Sequence, residues 1–356
     1  MTPAALSTTD FADRAKSVVP AEVWDFVEGG SGAEVTLAAN IEAFDLIRVV
    51  PRVFSGVASP VTNATLLGTD VSAPLAVAPM AYQRLLHPEG ELASARAAKS
   101  AGVPFTVSTF SSVSVEDVAA TGALTWFQLY WFADRAVTAD LVARAEDAGC
   151  RTLVLTADLP RMGKRLRDIR NGFTLPADVT AANLPETGRS SVVARHTDLL
   201  VDPALCWDDL AWLRARTRLR LVVKGVLDPA DAKTAAGAGV DAIVVSNHGG
   251  RQLDGAVASA EALQDVLDAV AGRCDVLLDS GVRSGLDVLK AVALGADGVL
   301  LGRPVLWGLA ADGQRGVADV LALVRDELAD AMTLSGCRDV AAIRGLRCLV
   351  RSGGRR

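Results

Sequence analysis

Ala242-Ile243-Val244-Val245-Ser246-Asn247-His248-Gly249-Gly250-Arg251-Gln252-Leu253-Asp254-Gly255 is the stretch from which the rest of this chain can be read. Its first four residues form a short apolar run rich in β-branched side chains, the pattern of a strand buried on both faces. A histidine and an arginine three residues apart then leave that strand among glycines. Imidazole takes up a proton near neutral pH. Guanidinium grips a carboxylate through two parallel hydrogen bonds. Singly, a histidine after a strand is more often a hydrogen-bonded structural residue than a base, and a lone arginine is usually a solvated charge. Together they describe a site that holds an acid by its carboxylate and removes a proton beside it.

The same unit, an apolar run followed by a helical pattern, repeats along the chain. Candidate strands are Leu75–Ala78, Pro104–Val107, Trp126–Leu129, Thr152–Leu155, Leu221–Lys224, Ala242–Val245, Asp275–Leu278 and Gly298–Leu301. Between them lie amphipathic, alanine-rich stretches such as Glu89–Ala101, Ala139–Ala148, Ala230–Ala238, Ala260–Val270 and Ser284–Leu294. Eight such units predict a (β/α)8 TIM barrel rather than an open doubly wound sheet. Residues 1–70 stand outside the repeat; helical patterns at Thr9–Ser17, Ala21–Val27 and Glu34–Ile41 predict a helical cap on the barrel. The expectation is a single domain over residues 1–356, with barrel and C-terminal helices from 71 onward. The segment from Leu159 to Asp202, after the fourth strand, has no hydrophobic period and reads as a long loop, either a lid or a disordered insertion.

Composition narrows the function classes. The chain has 356 residues, half of them hydrophobic, and a net charge of −6. That mild acidity gives no reason to expect a nucleic-acid partner. The basic end, Arg351 to Arg356, reads as a frayed tail. Five cysteines, at 150, 206, 274, 337 and 348, form no CxxC pair and read as small hydrophobes in a reducing compartment. His87, His196 and His248 lack metal-ligand spacing, so no metal is expected. With no membrane-spanning run and no secretory pattern at the start, the expected location is the cytoplasm.

Barrel enzymes carry their reactive groups at the C-terminal ends of the strands. Those ends here hold Pro79-Met80-Ala81, Ser108, Gln128 and Tyr130, Thr156 and Asp158, Lys224, Ser246 and His248, Asp279, and Gly302-Arg303. The last two strands run into Asp279-Ser280-Gly281-Val282-Arg283 and Gly302-Arg303-Pro304, each with glycine and arginine at a helix start. Backbone N–H groups and guanidinium there describe an anion site where barrels commonly bind phosphate. No dinucleotide fingerprint accompanies it.

The Ser246–Gly255 string, with His87-Pro88-Glu89-Gly90-Glu91, Gln128-Leu129-Tyr130, the Gly163–Asn171 stretch around Arg165 and Val223-Lys224-Gly225, resembles the FMN-dependent α-hydroxy-acid oxidases and dehydrogenases, which include glycolate and lactate oxidases. The resemblance spans nearly the whole chain. It implies FMN as cofactor, with Pro79, Met80 and Ala81 on one face of the flavin ring. Ser108, Gln128, Thr156 and Ser246 would stand near its polar edge and Lys224 beside N1 and the C2 carbonyl. Asp279 would hold the ribityl chain, and Arg283, Gly302 and Arg303 the phosphate. It further implies His248 as base, Asp158 as its carboxylate partner, and Arg165, Arg251 and Tyr130 as substrate ligands.

Two positions depart from the family pattern. Phe26 stands where many members carry a tyrosine that touches the substrate carboxylate, which favours an aryl substrate lined by an apolar wall. Ser280 stands where the family usually has glycine. Phe26-Val-Glu-Gly29-Gly30-Ser31-Gly32, Ala81-Tyr82-Gln83-Arg84-Leu85 and Met162-Gly163 resemble the subgroup that oxidises 4-hydroxymandelate. The resulting expectation is oxidation of an (S)-2-hydroxy acid, mandelate or 4-hydroxymandelate, with O2 reduced to H2O2, in a homo-oligomer, tetramers being common in the family. Ala81 resembles the oxidases. The alternatives are a dehydrogenase with another electron acceptor and a non-catalytic flavin-binding protein.

Overall fold

The structure, a computed structural model, describes residues 5–184 and 193–350. Eight strands close a barrel: β1 (Leu75–Val77), β2 (Phe105–Val107), β3 (Thr125–Leu129), β4 (Thr152–Thr156), β5 (Arg220–Val226), β6 (Ala242–Val245), β7 (Asp275–Leu278) and β8 (Gly298–Leu301). Every neighbouring pair is parallel, and β8 returns to β1. The strands are buried on both faces because helices cover the outside and side chains fill the inside. Trp126, Val154, Val222, Val244, Leu277 and Leu300 form the inner core, separate from the larger cluster between strands and helices. The expected strands are therefore all present, within a residue or two at their ends.

Helices α1 (Thr8–Val18), α2 (Ala21–Glu28) and α3 (Val35–Leu46) precede the barrel. A Ser7–Asp10 capping box starts α1. Residues 1–70 are not wholly helical, however. Ile47–Val49 pairs with Cys348–Val350, and a hairpin of Ala64–Leu66 and Thr69–Val71 sends Leu66 and Leu67 into the inner core. These strands are only three residues long, too short to show a period in sequence. Among the helices after the cap, α4 (Gly90–Ala101) and α5 (Val115–Ala119) follow β1 and β2, and α6 (Arg135–Asp147) follows β3.

The segment expected to be a loop after β4 contains α7 (Leu166–Asn171) and α8 (Val193–Leu200) and leads to α9 (Trp207–Arg214). Residues 185–192, part of that segment, and the basic tail from Arg351 lie outside the described residues. Helices α10 (Pro229–Gly237), α11 (Ser259–Val270) and α12 (Gly285–Ala293) follow β5, β6 and β7. After β8 comes α13 (Arg303–Ser335), broken at Asp312 and Gly313, then α14 (Val340–Ile343). The cap is docked rather than tethered: α1 lies on α13, α2 on α7 and α3 on the turn that carries His248.

Candidate active site

β6 ends in a tight turn, His248–Gly250, and His248 itself takes a left-handed backbone, φ +59°. Non-glycine residues held there mark positions the surroundings over-determine. The imidazole Nδ1 lies 2.9 Å from Asp158 Oδ1, at the end of β4. Asp158 can come this close because β5 turns at Gly225, φ +104°, where any Cβ would sit 2.5 Å from that of Asp158. Burial pushes the His248 imidazole below its ordinary range, and Lys224 and Arg165 add to this against the pull of Asp158. Burial alone would raise Asp158, but the His248 imidazole and Lys224 outweigh it and keep the carboxyl ionised. Lys224 is paired in turn: Nζ is 3.0 Å from Asp279 Oδ2 and donates to Ser246 Oγ at 2.8 Å. Burial opposes its charge, yet Asp279 and Asp158 hold its pKa above the usual lysine value.

Beside this pair lie Tyr130, Arg165, Arg251 and Phe26, all on the wall of one cavity with His248. Phe26 is 7% exposed and stacks on Phe173 with ring centroids 4.6 Å apart. The Arg165 and Arg251 guanidinium carbons stand 5.9 Å and 5.4 Å from the Phe26 centroid, within cation–π range. Arg251 also donates to the carbonyl of Gly29 at 2.6 Å. Burial, then Arg165 and Arg303, depress the Arg251 pKa far below normal, and burial lowers Arg165 likewise. Tyr130 is raised by burial and by Asp158, so its hydroxyl keeps its proton. Its ring packs against Phe110 at 5.1 Å.

The far end of the cavity is lined by Asp279, Arg283, Gly302 and Arg303. Arg283 lies over the Trp307 ring at 5.3 Å, and burial followed by the Arg303 charge brings its pKa down to about 10. The two turns differ. The start of α12 is capped by its own Asp287, which accepts from the Arg283 and Ser284 N–H groups. The start of α13 follows Gly302, which supplies no capping side chain. Arg303 does more than line the cavity: its guanidinium donates to the carbonyls of Val27 at 3.1 Å, Gly249 at 3.1 Å, and Glu28 and Gly29 at 3.3 Å each. It ties cap to barrel as well as bordering the cavity.

The residues present fit FMN. Four guanidiniums, Arg165, Arg251, Arg283 and Arg303, crowd one cavity with Lys224; burial lowers the pKa of each guanidinium, and the Arg303 charge adds to this at Arg165, Arg251 and Arg283, a cost that bound anions relieve. A phosphate and a carboxylate are two such anions. Between them, Pro79, Met80, Ala81, Ser108 and Thr156 line the wall. Gln128 lies behind Ser108, taking its hydroxyl at 3.2 Å, while its Nε2 is buried with no partner. An orphaned amide donor needs an acceptor, and a carbonyl on a flavin ring is one. Ser246 does not reach this cavity; its hydroxyl joins Lys224 to the His248 backbone.

Reading the sequence missed three residues here. Phe110, two positions beyond Ser108, walls the cavity, and Phe173 backs Phe26. Gln252 donates to the Asp158 carbonyl at 2.7 Å and accepts from Gly163 N at 3.0 Å, pinning the segment that carries Arg165. Only Gln252 lay inside a quoted motif; the two phenylalanines carried no signal beyond being apolar.

A barrel rim with a carboxylate-paired histidine, two guanidiniums beside it and an arginine-lined far end suits an enzyme that holds an organic acid against a phosphorylated cofactor. The profile of the FMN-dependent dehydrogenase family matches residues 15–349. The chain is 52% identical over 348 residues to 4-hydroxymandelate oxidase of Amycolatopsis orientalis, covering 96% of this chain and 97% of that one. It is 42% identical over 355 residues to 2-hydroxyacid oxidase 1 of Homo sapiens, covering 96% of each. A crystal structure of mandelate oxidase with (S)-4-hydroxymandelic acid superimposes with a TM-score of 0.94 at 51% identity, covering 97% of this chain and 99% of that chain. The chain belongs to the FMN-dependent dehydrogenase family, and its cofactor is FMN. No helix among the described residues is long and apolar enough to cross a membrane.

Proposed function

We propose that the protein oxidises an (S)-2-hydroxy acid bearing an aryl group, mandelate or 4-hydroxymandelate, to the 2-oxo acid, with O2 reduced to H2O2. The observation that carries this is the apolar Phe26 ring beneath both Arg165 and Arg251, beside the His248–Asp158 pair. Two guanidiniums suit one carboxylate, and an aromatic wall suits an aromatic side chain. The sequence relationship to 4-hydroxymandelate oxidase supports the same substrate class.

Bound FMN supplies a two-electron acceptor that O2 can reoxidise. The chain supplies the rest. Arg165 and Arg251 hold the substrate carboxylate, and Tyr130 donates to the substrate near its hydroxyl. His248 takes a proton as the alcohol becomes a carbonyl. Asp158 fixes the imidazole tautomer and stabilises its charged form. Lys224, held by Asp279, would offer positive charge to the bound flavin. Pro79, Met80 and Ala81 would form a platform for its ring, with Ser108, Gln128 and Thr156 toward its polar edge. Arg283 and the uncapped start of α13 at Gly302 hold the phosphate, with Arg303 closing that end. We further take residues 1–356 as one domain, on the direct packing of the cap against barrel helices. Five unpaired cysteines support a cytoplasmic location, and family habit suggests a homo-oligomer.

The test is steady-state kcat/KM for (S)-mandelate, 4-hydroxymandelate, lactate and glycolate with peroxide detection. Aryl acids should lead by roughly tenfold to a few hundredfold, since a ring buries far more apolar area than a methyl group. Equal or better activity on lactate would remove the aryl assignment.

A further inference from the structure

We propose that Ser280 is a positioning residue whose hydroxyl closes a ring of hydrogen bonds behind His248, fixing the base relative to Lys224. The proposal rests on the reading of His248 as base. The ring can be followed atom by atom. Lys224 Nζ donates to Ser246 Oγ at 2.8 Å, and that oxygen also accepts from His248 N at 3.0 Å. One peptide on, Gly249 N donates to Ser280 Oγ at 2.9 Å. Ser280 Oγ donates to Asp279 Oδ1 at 2.8 Å, and Asp279 Oδ2 returns to Lys224 Nζ at 3.0 Å. Three strand ends, β5, β6 and β7, are thus joined through side chains. Without the Ser280 hydroxyl, Gly249 N and Asp279 Oδ1 each lose this partner and the ring opens.

The backbone adds a second, independent observation. Ser280 holds φ +72°, in the left-handed region where glycine rests without steric cost. A serine here is strained in its backbone while its hydroxyl makes two good bonds. His248 at φ +59° and Gly249 at φ +67° share that left-handed path directly across the ring. Three consecutive residues with positive φ, His248 to Gly250, carrying the imidazole need an external hold, and the Gly249 N–H to Ser280 bond is one. The charged groups that face the imidazole are Asp158, Lys224 and Arg165, and the ring sets the distance of Lys224 among them.

Ser280→Gly and Ser280→Ala test this. Glycine relieves the backbone strain, so S280G should unfold at the parent's temperature or above, while S280A, strained and without the hydroxyl, should unfold below S280G. In the flavin-loaded enzyme both should be reduced by (S)-mandelate roughly ten- to a hundredfold more slowly under anaerobic conditions, the scale of a small misplacement of a reacting group. Binding of the 2-oxo acid benzoylformate, read from the flavin absorbance, should stay unchanged. The chain has three histidines, so the His248 imidazole can be followed by NMR in the flavin-free protein. In S280G it should titrate closer to the ordinary imidazole value as the turn loosens and water enters. Reduction of S280G at the parent rate overturns the proposal. So does a loss that comes with an equal loss of benzoylformate or flavin binding, which would make Ser280 a binding residue. If the parent itself is not reduced by any 2-hydroxy acid, the proposed function fails; an unmoved His248 titration in S280G would overturn the ring separately.

Discussion

Asp158 Oδ1 lies 2.9 Å from His248 Nδ1, with both side chains largely buried. The carboxylate accepts from Nδ1–H, so the lone pair of the neutral imidazole sits on Nε2, the nitrogen left for the cavity. In the proposed function this contact directs His248 as the base, its Nε2 held toward the cavity. His248→Ala should keep its flavin and lose substrate-driven reduction by roughly 10²- to 10⁴-fold. Asp158→Asn keeps the shape but can stabilise the wrong tautomer, and should slow reduction by roughly 10²-fold or more. Anaerobic stopped-flow reduction measures both; near-parent rates in either would place the proton transfer elsewhere.

The pH dependence follows from the same pair. A base must be unprotonated to act, so activity is lost as pH falls through its pKa. Burial, with Lys224 and Arg165 adding, holds His248 below its ordinary range. The acid limb of kcat/KM should therefore fall below pH ~6.5, the ordinary histidine value. Lys224→Met removes one of the charges that depress His248 and should move the limb upward. A limb above the ordinary histidine value in the parent would contradict the assignment.

Phe26 tests specificity. Phe26→Tyr adds a hydroxyl to the ring that both guanidiniums approach. It should narrow the aryl-over-lactate preference by roughly tenfold, mainly through poorer mandelate kcat/KM. Phe173→Leu removes the stack beneath Phe26 and should raise KM for mandelate more than for lactate. Parallel changes for all substrates would show that this wall does not select.

The phosphate end predicts cofactor affinity. Arg283 is half-buried, and its pKa of about 10 leaves it charged at neutral pH. Loss of a charged hydrogen bond costs about 1.5–3 kcal/mol, so Arg283→Ala should weaken FMN roughly 10- to 150-fold. Arg303→Ala should also lower the unfolding temperature, because four carbonyls of the cap and the His248 turn each lose a donor. Fluorescence titration of flavin-free protein and thermal melts separate the two effects.

The barrel was legible because each strand is a short apolar run closed by a polar residue, the pattern that double-sided burial imposes. Residues at those strand ends were legible for the same reason, and His248, Arg251, Tyr130 and Lys224 do converge on one cavity. Helix α7 was not legible: six residues give less than two turns, too few for a period. Phe173 follows it and gains meaning only from Phe26, far off in sequence. The Arg303 grip on Val27 and Glu28 joins positions 275 or more residues apart and leaves no local trace. Ser280 was visible as an oddity among glycines, but its partners Gly249 and Asp279 come from tertiary contact.

The most direct test of the central claim is one anaerobic mixing experiment with purified, flavin-loaded protein. Addition of (S)-mandelate should bleach the flavin's visible absorbance, and air should restore it while releasing H2O2 and benzoylformate in equal amounts. Denaturation of the same sample should release FMN rather than FAD. Flavin that stays oxidised in the presence of mandelate and 4-hydroxymandelate would contradict the account. Flavin that bleaches but does not recover in air would leave the chemistry of His248 standing and overturn O2 as the acceptor.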